Sequence, residues 1–169
     1  NDNLERCSRG PDPTSDKLAE LVSKTKNIGF AFDLDSDRVI LVMNGEKKSS
    51  DITLGLGVVK AIKLGIKKFV LSLDSSLAIE KFIIKNGGKV WRSKVGEANV
   101  IQMMIENDAE AGGEGSSGGF ILRKFNMCRD GLLTSGLIAS MIDDESIQKD
   151  IEFFESFSQI REKISIESK

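Results

Sequence analysis

Apolar and polar positions in this chain alternate between two rhythms. Ile28, Phe30 and Phe32 recur at every second residue between Gly29 and Ala31, which predicts a strand, and residues 38–43 predict a second one closed by the hairpin-type pair Asn44-Gly45. The period then lengthens. Ser50 and Asp51 can cap a helix whose Ile52, Leu56, Val59 and Ile62 share a face, and residues 67–73 read as a buried strand. The unit repeats: Ser75 or Ser76 caps a helix carrying Leu77, Ile79, Phe82 and Ile83, Gly87-Gly88 ends it, and residues 89–92 form a short strand. A helix over 96–106, a glycine-rich segment over 112–119, a strand over 120–125 and a helix over 130–142 complete the series. Upstream, Ser15 and Asp16 supply an N-cap for a helix through Leu18, Leu21 and Val22. Alternating strands and helices predict an α/β architecture, with helices layered on a mixed, largely parallel sheet.

Composition narrows the chemistry. With 169 residues and 40% apolar content the chain can bury one core and part of a second. A net charge of -2 without a basic block argues against nucleic-acid or anionic-membrane binding. No apolar run approaches the roughly 20 residues that cross a bilayer. Cys7 and Cys128 have no metal-type spacing and no signal peptide is evident, so a reducing cytoplasm is the expected home. With no His and no Tyr, imidazole bases, Ser-His-Asp triads and His-ligated metals are excluded within this chain. Carboxylate, Lys and metal chemistry remain. The chain opens at Asn1, without Met, in a polar stretch holding Pro11 and Pro13, and is read as a fragment of a longer protein.

The first strand runs into Asp33, Asp35 and Asp37, three carboxylates within a few residues. Like charges this close raise one another's pKa unless a cation neutralises them, and an all-oxygen donor set favours Mg²⁺ over Zn²⁺. A solvated Asp-rich turn without an ion is the alternative. The segment Gly112-Gly-Glu-Gly-Ser-Ser-Gly-Gly119 is either a flexible linker or, with an acid at its centre and regular structure on both sides, a binding loop. The turns at 74–76 and 92–96 each follow a predicted strand, and with the loop at 114–118 they could gather at one sheet edge. Lys94 and Glu97 are candidate minor contacts there, or ordinary solvated charges.

Two segments in fixed order, Gly29-Phe-Ala-Phe-Asp-Leu-Asp-Ser-Asp-Arg38 and then the glycine loop at 112–119, resemble the α-D-phosphohexomutases, a family of phosphoglucomutases, phosphomannomutases and phosphoglucosamine mutases. Arg9-Gly-Pro-Asp-Pro13, residues 88–96 and Arg129-Asp130-Gly131 support the likeness. The resemblance implies the C-terminal part of a metal-binding domain over 1–45, a sugar-recognition domain over 46–145, and a linker over 146–169 toward a missing phosphate-binding domain. It implies that Asp33, Asp35 and Asp37 hold Mg²⁺, that Arg38 orients the acidic turn and helps to place phosphate, and that Glu114, Ser116 or Ser117 and Gly118 meet the hydroxyls of a hexose phosphate. In such an enzyme a phosphoserine donates its phosphoryl group to the sugar, the bisphosphate reorients, and C1 and C6 phosphates interchange. Ser36 stands where the family has Gly or Ala, and the glycine loop is one residue longer than the family pattern. The phosphoserine loop and the final phosphate loop are not found, so the missing domains are partners the chain needs, and no turnover is expected of it alone. Which hexose phosphate is used, and the oligomeric state, are not legible.

Rival readings exist. Phe32-Asp33-Leu34-Asp35 fits a haloacid-dehalogenase-type phosphatase with Asp33 as nucleophile, although Asp37 replaces the expected Thr or Val and the Glu114 loop has no role. An EF-hand matches at Asp33, Asp35 and Asp37 but has Arg38 at the glycine position and Asn44 at the final glutamate. A non-catalytic module that kept only the fold is the third.

Overall fold

A computed structural model describes residues 28–160 together with Lys24. The expected helix through Leu18, Leu21 and Val22, the Arg9 to Pro13 segment and residues 161–169 of the expected linker lie outside the described residues.

Two strands, β1 (Ile28–Phe32) and β2 (Val39–Met43), pair antiparallel with Phe32 opposite Val39, so residues 33–38, with the three aspartates, form the connection. Asn44 and Gly45 both take positive φ, 54° and 79°, the type I′ pair that matches strand twist, and β3 (Glu46–Lys47) returns along β2. Helix α1 (Ser50–Lys63) begins at Ser49, whose Oγ accepts the Ile52 N–H at 3.3 Å. Residues 51–59 of α1 are all buried, so the helix is enclosed rather than half-exposed.

The second sheet contains β4 (Lys68–Ser72), β5 (Lys89–Ser93), β6 (Ala111–Gly113), β7 (Phe120–Leu122) and β8 (Asn126–Asp130), in the order β5-β4-β6-β7-β8. Both β5 and β6 run parallel to β4, whereas β6-β7 and β7-β8 are antiparallel. The helices are α2 (Leu77–Lys85), α3 (Glu97–Glu106), α4 (Gly131–Ala139) and α5 (Ile147–Glu155).

Strand periodicity sorts the core into two layers. Phe69, Leu71 and Phe120 face a large cluster with Leu54 and Leu56 of α1, Ile79 and Ile83 of α2, Ile138 of α4 and Ile151 of α5. Val70 and Ile121 point to the other face, onto Val100 and Met104 of α3. The sheet is therefore covered by helices on both sides. Two helix-borne threonines fasten the strands that flank the site: Thr53 Oγ1 accepts the Leu41 N–H at 3.2 Å, and Thr134 Oγ1 accepts the Phe120 N–H at 2.9 Å. These bonds satisfy buried backbone donors that the short strands leave over.

Two expectations need correction. The strand expected over 120–125 ends at Leu122, turns, and returns as β8, so the second half of that region adds an antiparallel edge. The expected linker from residue 146 includes α5, whose Ile147, Ile151 and Phe154 are buried; its i, i+4, i+7 spacing seals the α1 face, so residues 147–155 are part of the packed body.

Candidate active site

Because β5, β4 and β6 are parallel, the segments that follow them emerge at one edge, as expected from sequence. The Gly115 N–H donates to Ser75 Oγ at 2.9 Å and the Gly96 N–H donates to Glu114 Oε1 at 2.6 Å, which ties all three turns together. Ser75 is itself held by Ser72 Oγ, 3.0 Å away.

The acidic connection of the first sheet meets this edge. The Val39 N–H donates to the Ser117 carbonyl at 3.3 Å, and the Gly131 N–H donates to the Ser36 carbonyl at 3.0 Å. Asp33, Asp35 and Asp37 each present an oxygen within 4.8 Å of the others. Asp33 is buried, Asp37 half-buried and Asp35 exposed. Burial first, and then the charges of Asp37 and Asp35, push the Asp33 carboxyl up from the ordinary aspartate value, against the lowering effect of the Arg38 N–H on Oδ1. Such a set, destabilised by its own charge and all oxygen, fits a hard divalent cation. Arg38 Nε lies 3.6 Å from Asp33 Oδ2 and 3.8 Å from Asp37 Oδ1, placing its charge against the turn. Ser36 sits at φ 63°, a left-handed position that glycine adopts without strain.

Of the two candidate loop serines, Ser116 is exposed and Ser117 is buried. Ser117 Oγ donates to the Glu114 carbonyl at 3.2 Å and accepts the Gly119 N–H at 3.3 Å, so it braces the loop. Gly118, at φ +70°, lies where a Cβ would be 2.3 Å from the Val39 carbonyl oxygen. Glu114 is only 3% exposed. Lys94 is exposed beside Gly96, and Glu97 is drawn inward.

What draws it is Arg129, for which sequence reading found no role beyond opening α4. Its Nε donates to Glu97 Oε2 at 2.9 Å, Nη1 to Glu114 Oε2 at 2.7 Å and Nη2 to Asp37 Oδ2 at 2.5 Å. Burial opposes its charge, but Asp37, Glu114 and Glu97 outweigh that and raise its pKa further above the ordinary arginine value. The acidic turn and the glycine loop thus face each other across one guanidinium. Only the spatial convergence of three acids identifies it, and the local sequence carries no such signal. Cys128, next to it, is half-buried, and burial followed by the charges of Glu97, Asp130 and Asp37 pushes its thiol up. No helix among the described residues is long and apolar enough to cross a membrane.

Residues 50–158 match the phosphoglucomutase/phosphomannomutase α/β/α domain III. The chain is 32% identical over 172 residues to the phosphoglucosamine mutase of Dictyoglomus turgidum, covering 96% of this chain and 37% of that protein. It is 37% identical over 134 residues to the phosphoglucosamine mutase of Campylobacter curvus, covering 75% of this chain and 29% of that one. It superimposes on a Thermus thermophilus protein assigned as a phosphomannomutase with a TM-score of 0.77 at 19% identity, over 89% of this chain and 36% of the other. The chain belongs to the phosphoglucomutase/phosphomannomutase family, the α-D-phosphohexomutases, whose fold it shares. It spans about a third of the length of these relatives. Family membership sets aside the haloacid-dehalogenase alternative, and the antiparallel hairpin around the acidic turn sets aside the EF-hand, which needs flanking helices.

Proposed function

We propose that this chain supplies the metal-binding turn and the sugar-binding loop of a phosphohexomutase acting on a hexose or hexosamine phosphate. The observation that carries this reading is the juxtaposition of Asp37 and Glu114 through Arg129, which brings the acidic turn and the glycine loop side by side. The names of its relatives favour a glucosamine phosphate.

Asp33, Asp35 and Asp37 would hold Mg²⁺, which when bound neutralises charge on a transferring phosphoryl group. Arg38 keeps the turn in shape and adds positive charge for a phosphate. Ser116 offers an exposed hydroxyl that donates or accepts, and Glu114 retains lone pairs beyond those used by Gly96 and Arg129. Gly118 lets the backbone approach a sugar ring. A ring gripped by adjacent hydroxyls can be held in either of two orientations, as an exchange of C1 and C6 phosphates demands. The phosphoserine and the final phosphate loop would come from other parts of the enzyme, and we take the reaction to be cytoplasmic.

Saturation-transfer NMR with glucosamine 6-phosphate in the presence of Mg²⁺ tests the reading. Transfer from the native chain to the sugar phosphate that disappears in Glu114→Gln supports it, and equal transfer in both contradicts it. Hydrolysis of a generic aryl phosphate by the chain alone would contradict it in favour of a phosphatase.

A further inference from the structure

We propose that Arg129 is a positioning residue that couples the acidic turn to the glycine loop, so that occupancy of one is felt by the other. This rests on the metal reading above and assigns the part of the chain that carries the coupling.

Arg129 engages three carboxylates from three separate segments: Asp37 between β1 and β2, Glu97 at the start of α3, and Glu114 after β6. Its backbone is fixed as well. The Arg129 N–H donates to Glu97 Oε2 at 2.9 Å, and the following Asp130 caps α4 by accepting the Leu133 N–H at 2.8 Å. The guanidinium therefore stands on a rigid base and is 16% exposed. Its planar fork sends different nitrogens to different acids, which the single ammonium of a lysine cannot do in the same geometry.

The network is unevenly charged. Among the described residues, Arg38 faces Asp33 and Asp37, and Arg129 faces Asp37, Glu97 and Glu114, so two guanidinium groups stand among five carboxylates. Asp37 would be shared between Nη2 and a divalent cation held at the turn, and the guanidinium would then rest more on Glu97 and Glu114. Glu114 passes the change on, because its other oxygen holds the Gly96 N–H at 2.6 Å. Gly96 caps α3 after β5 of the other sheet, away from the acidic turn, and its amide is a remote reporter. The Arg38 amide, which donates to Asp33 Oδ1 at 3.3 Å, is the local one.

The test is amide NMR of the ¹⁵N-labelled chain titrated with Mg²⁺ alone. In the native chain the Arg38 and Gly96 amides move with one common midpoint. In Arg129→Lys and Arg129→Gln the Arg38 amide still moves, while the Gly96 displacement falls at least fivefold. Dispersed spectra of both variants show that they are folded. Equal Gly96 displacement in the variants and the native chain overturns the proposal. So does a native Gly96 amide that stays still while Arg38 moves, a result that needs no variant. An Arg38 amide that does not respond to Mg²⁺ removes the metal reading itself, and the coupling with it.

Discussion

The carbonyl oxygen of Asp37 lies 2.3 Å from the point a Cβ on Gly119 would occupy. Two loops far apart in sequence are thus packed backbone to backbone, and the neighbouring atom belongs to main chain that cannot rotate aside. Gly119→Ala should destabilise the chain by about 1–3 kcal/mol, the usual cost of overpacking, read from urea unfolding. It should also weaken Mg²⁺ binding, because the carbonyl it displaces belongs to Asp37, one of the three proposed ligand residues. Unchanged stability and affinity would mean that the loops do not touch in solution.

The two loop serines should separate cleanly. Ser117→Ala removes a hydroxyl that holds both ends of the loop and should cost about 1 kcal/mol of unfolding free energy. Ser116→Ala alters an exposed position and should stay within about 0.5 kcal/mol, yet reduce binding of the hexose phosphate. The reverse pattern would exchange their roles.

Phe154 lies over Gly55, with its Cε2 2.8 Å from where a Cβ would stand, and packs on Phe82 with ring centroids 5.4 Å apart. Phe154→Ala should lower stability by about 3–5 kcal/mol, the range for a buried aromatic. A midpoint of urea unfolding equal to the native one would return α5 to the status of a linker.

Lys63 donates to Asp144, joining the end of α1 to the approach of α5. That bond first, and then the Ser146 N–H and hydroxyl, hold the Asp144 carboxyl well below the usual aspartate range. A depressed native value means that the unfolded chain binds the proton first on acidification. The contribution is therefore complete above the unfolded aspartate value of about 3.9 and is lost as pH falls below it. Thermal midpoints between about pH 6 and 2 should fall less steeply in Asp144→Asn than in the native chain. Parallel curves would show that the pair adds nothing in solution.

Much of the order of elements was legible from period and caps: Ser76 caps α2 as expected, Ser49 caps α1 one residue ahead of the expected Ser50 and Asp51, and Ile52, Leu56, Val59, Ile79 and Ile83 are buried as spaced, whereas Leu77 is exposed. β6 was not, because Ala111-Gly112-Gly113 lacks any strand-favouring side chain. Its glycines answer to packing instead, since a Cβ on Gly112 would lie 2.8 Å from both Met104 Sδ and the Val70 carbonyl. β8 escaped for a related reason: Asn126-Met-Cys-Arg-Asp130 is a mostly polar edge paired only with β7. In the site, the acidic turn announced itself by charge density and the glycine loop by composition. Arg129 did not, because its meaning lies in acids brought from three distant segments.

The most direct measurement is titration calorimetry of Mg²⁺, and of Mn²⁺ as a second hard cation, into the native chain and Asp35→Asn. Asp35 is exposed, so its replacement should leave the fold intact while removing one of the three proposed ligands. A saturable heat in the native chain that is lost or weakened at least tenfold in Asp35→Asn is the predicted result. Identical heats in the two proteins, or none in either, would contradict a metal site in the acidic turn.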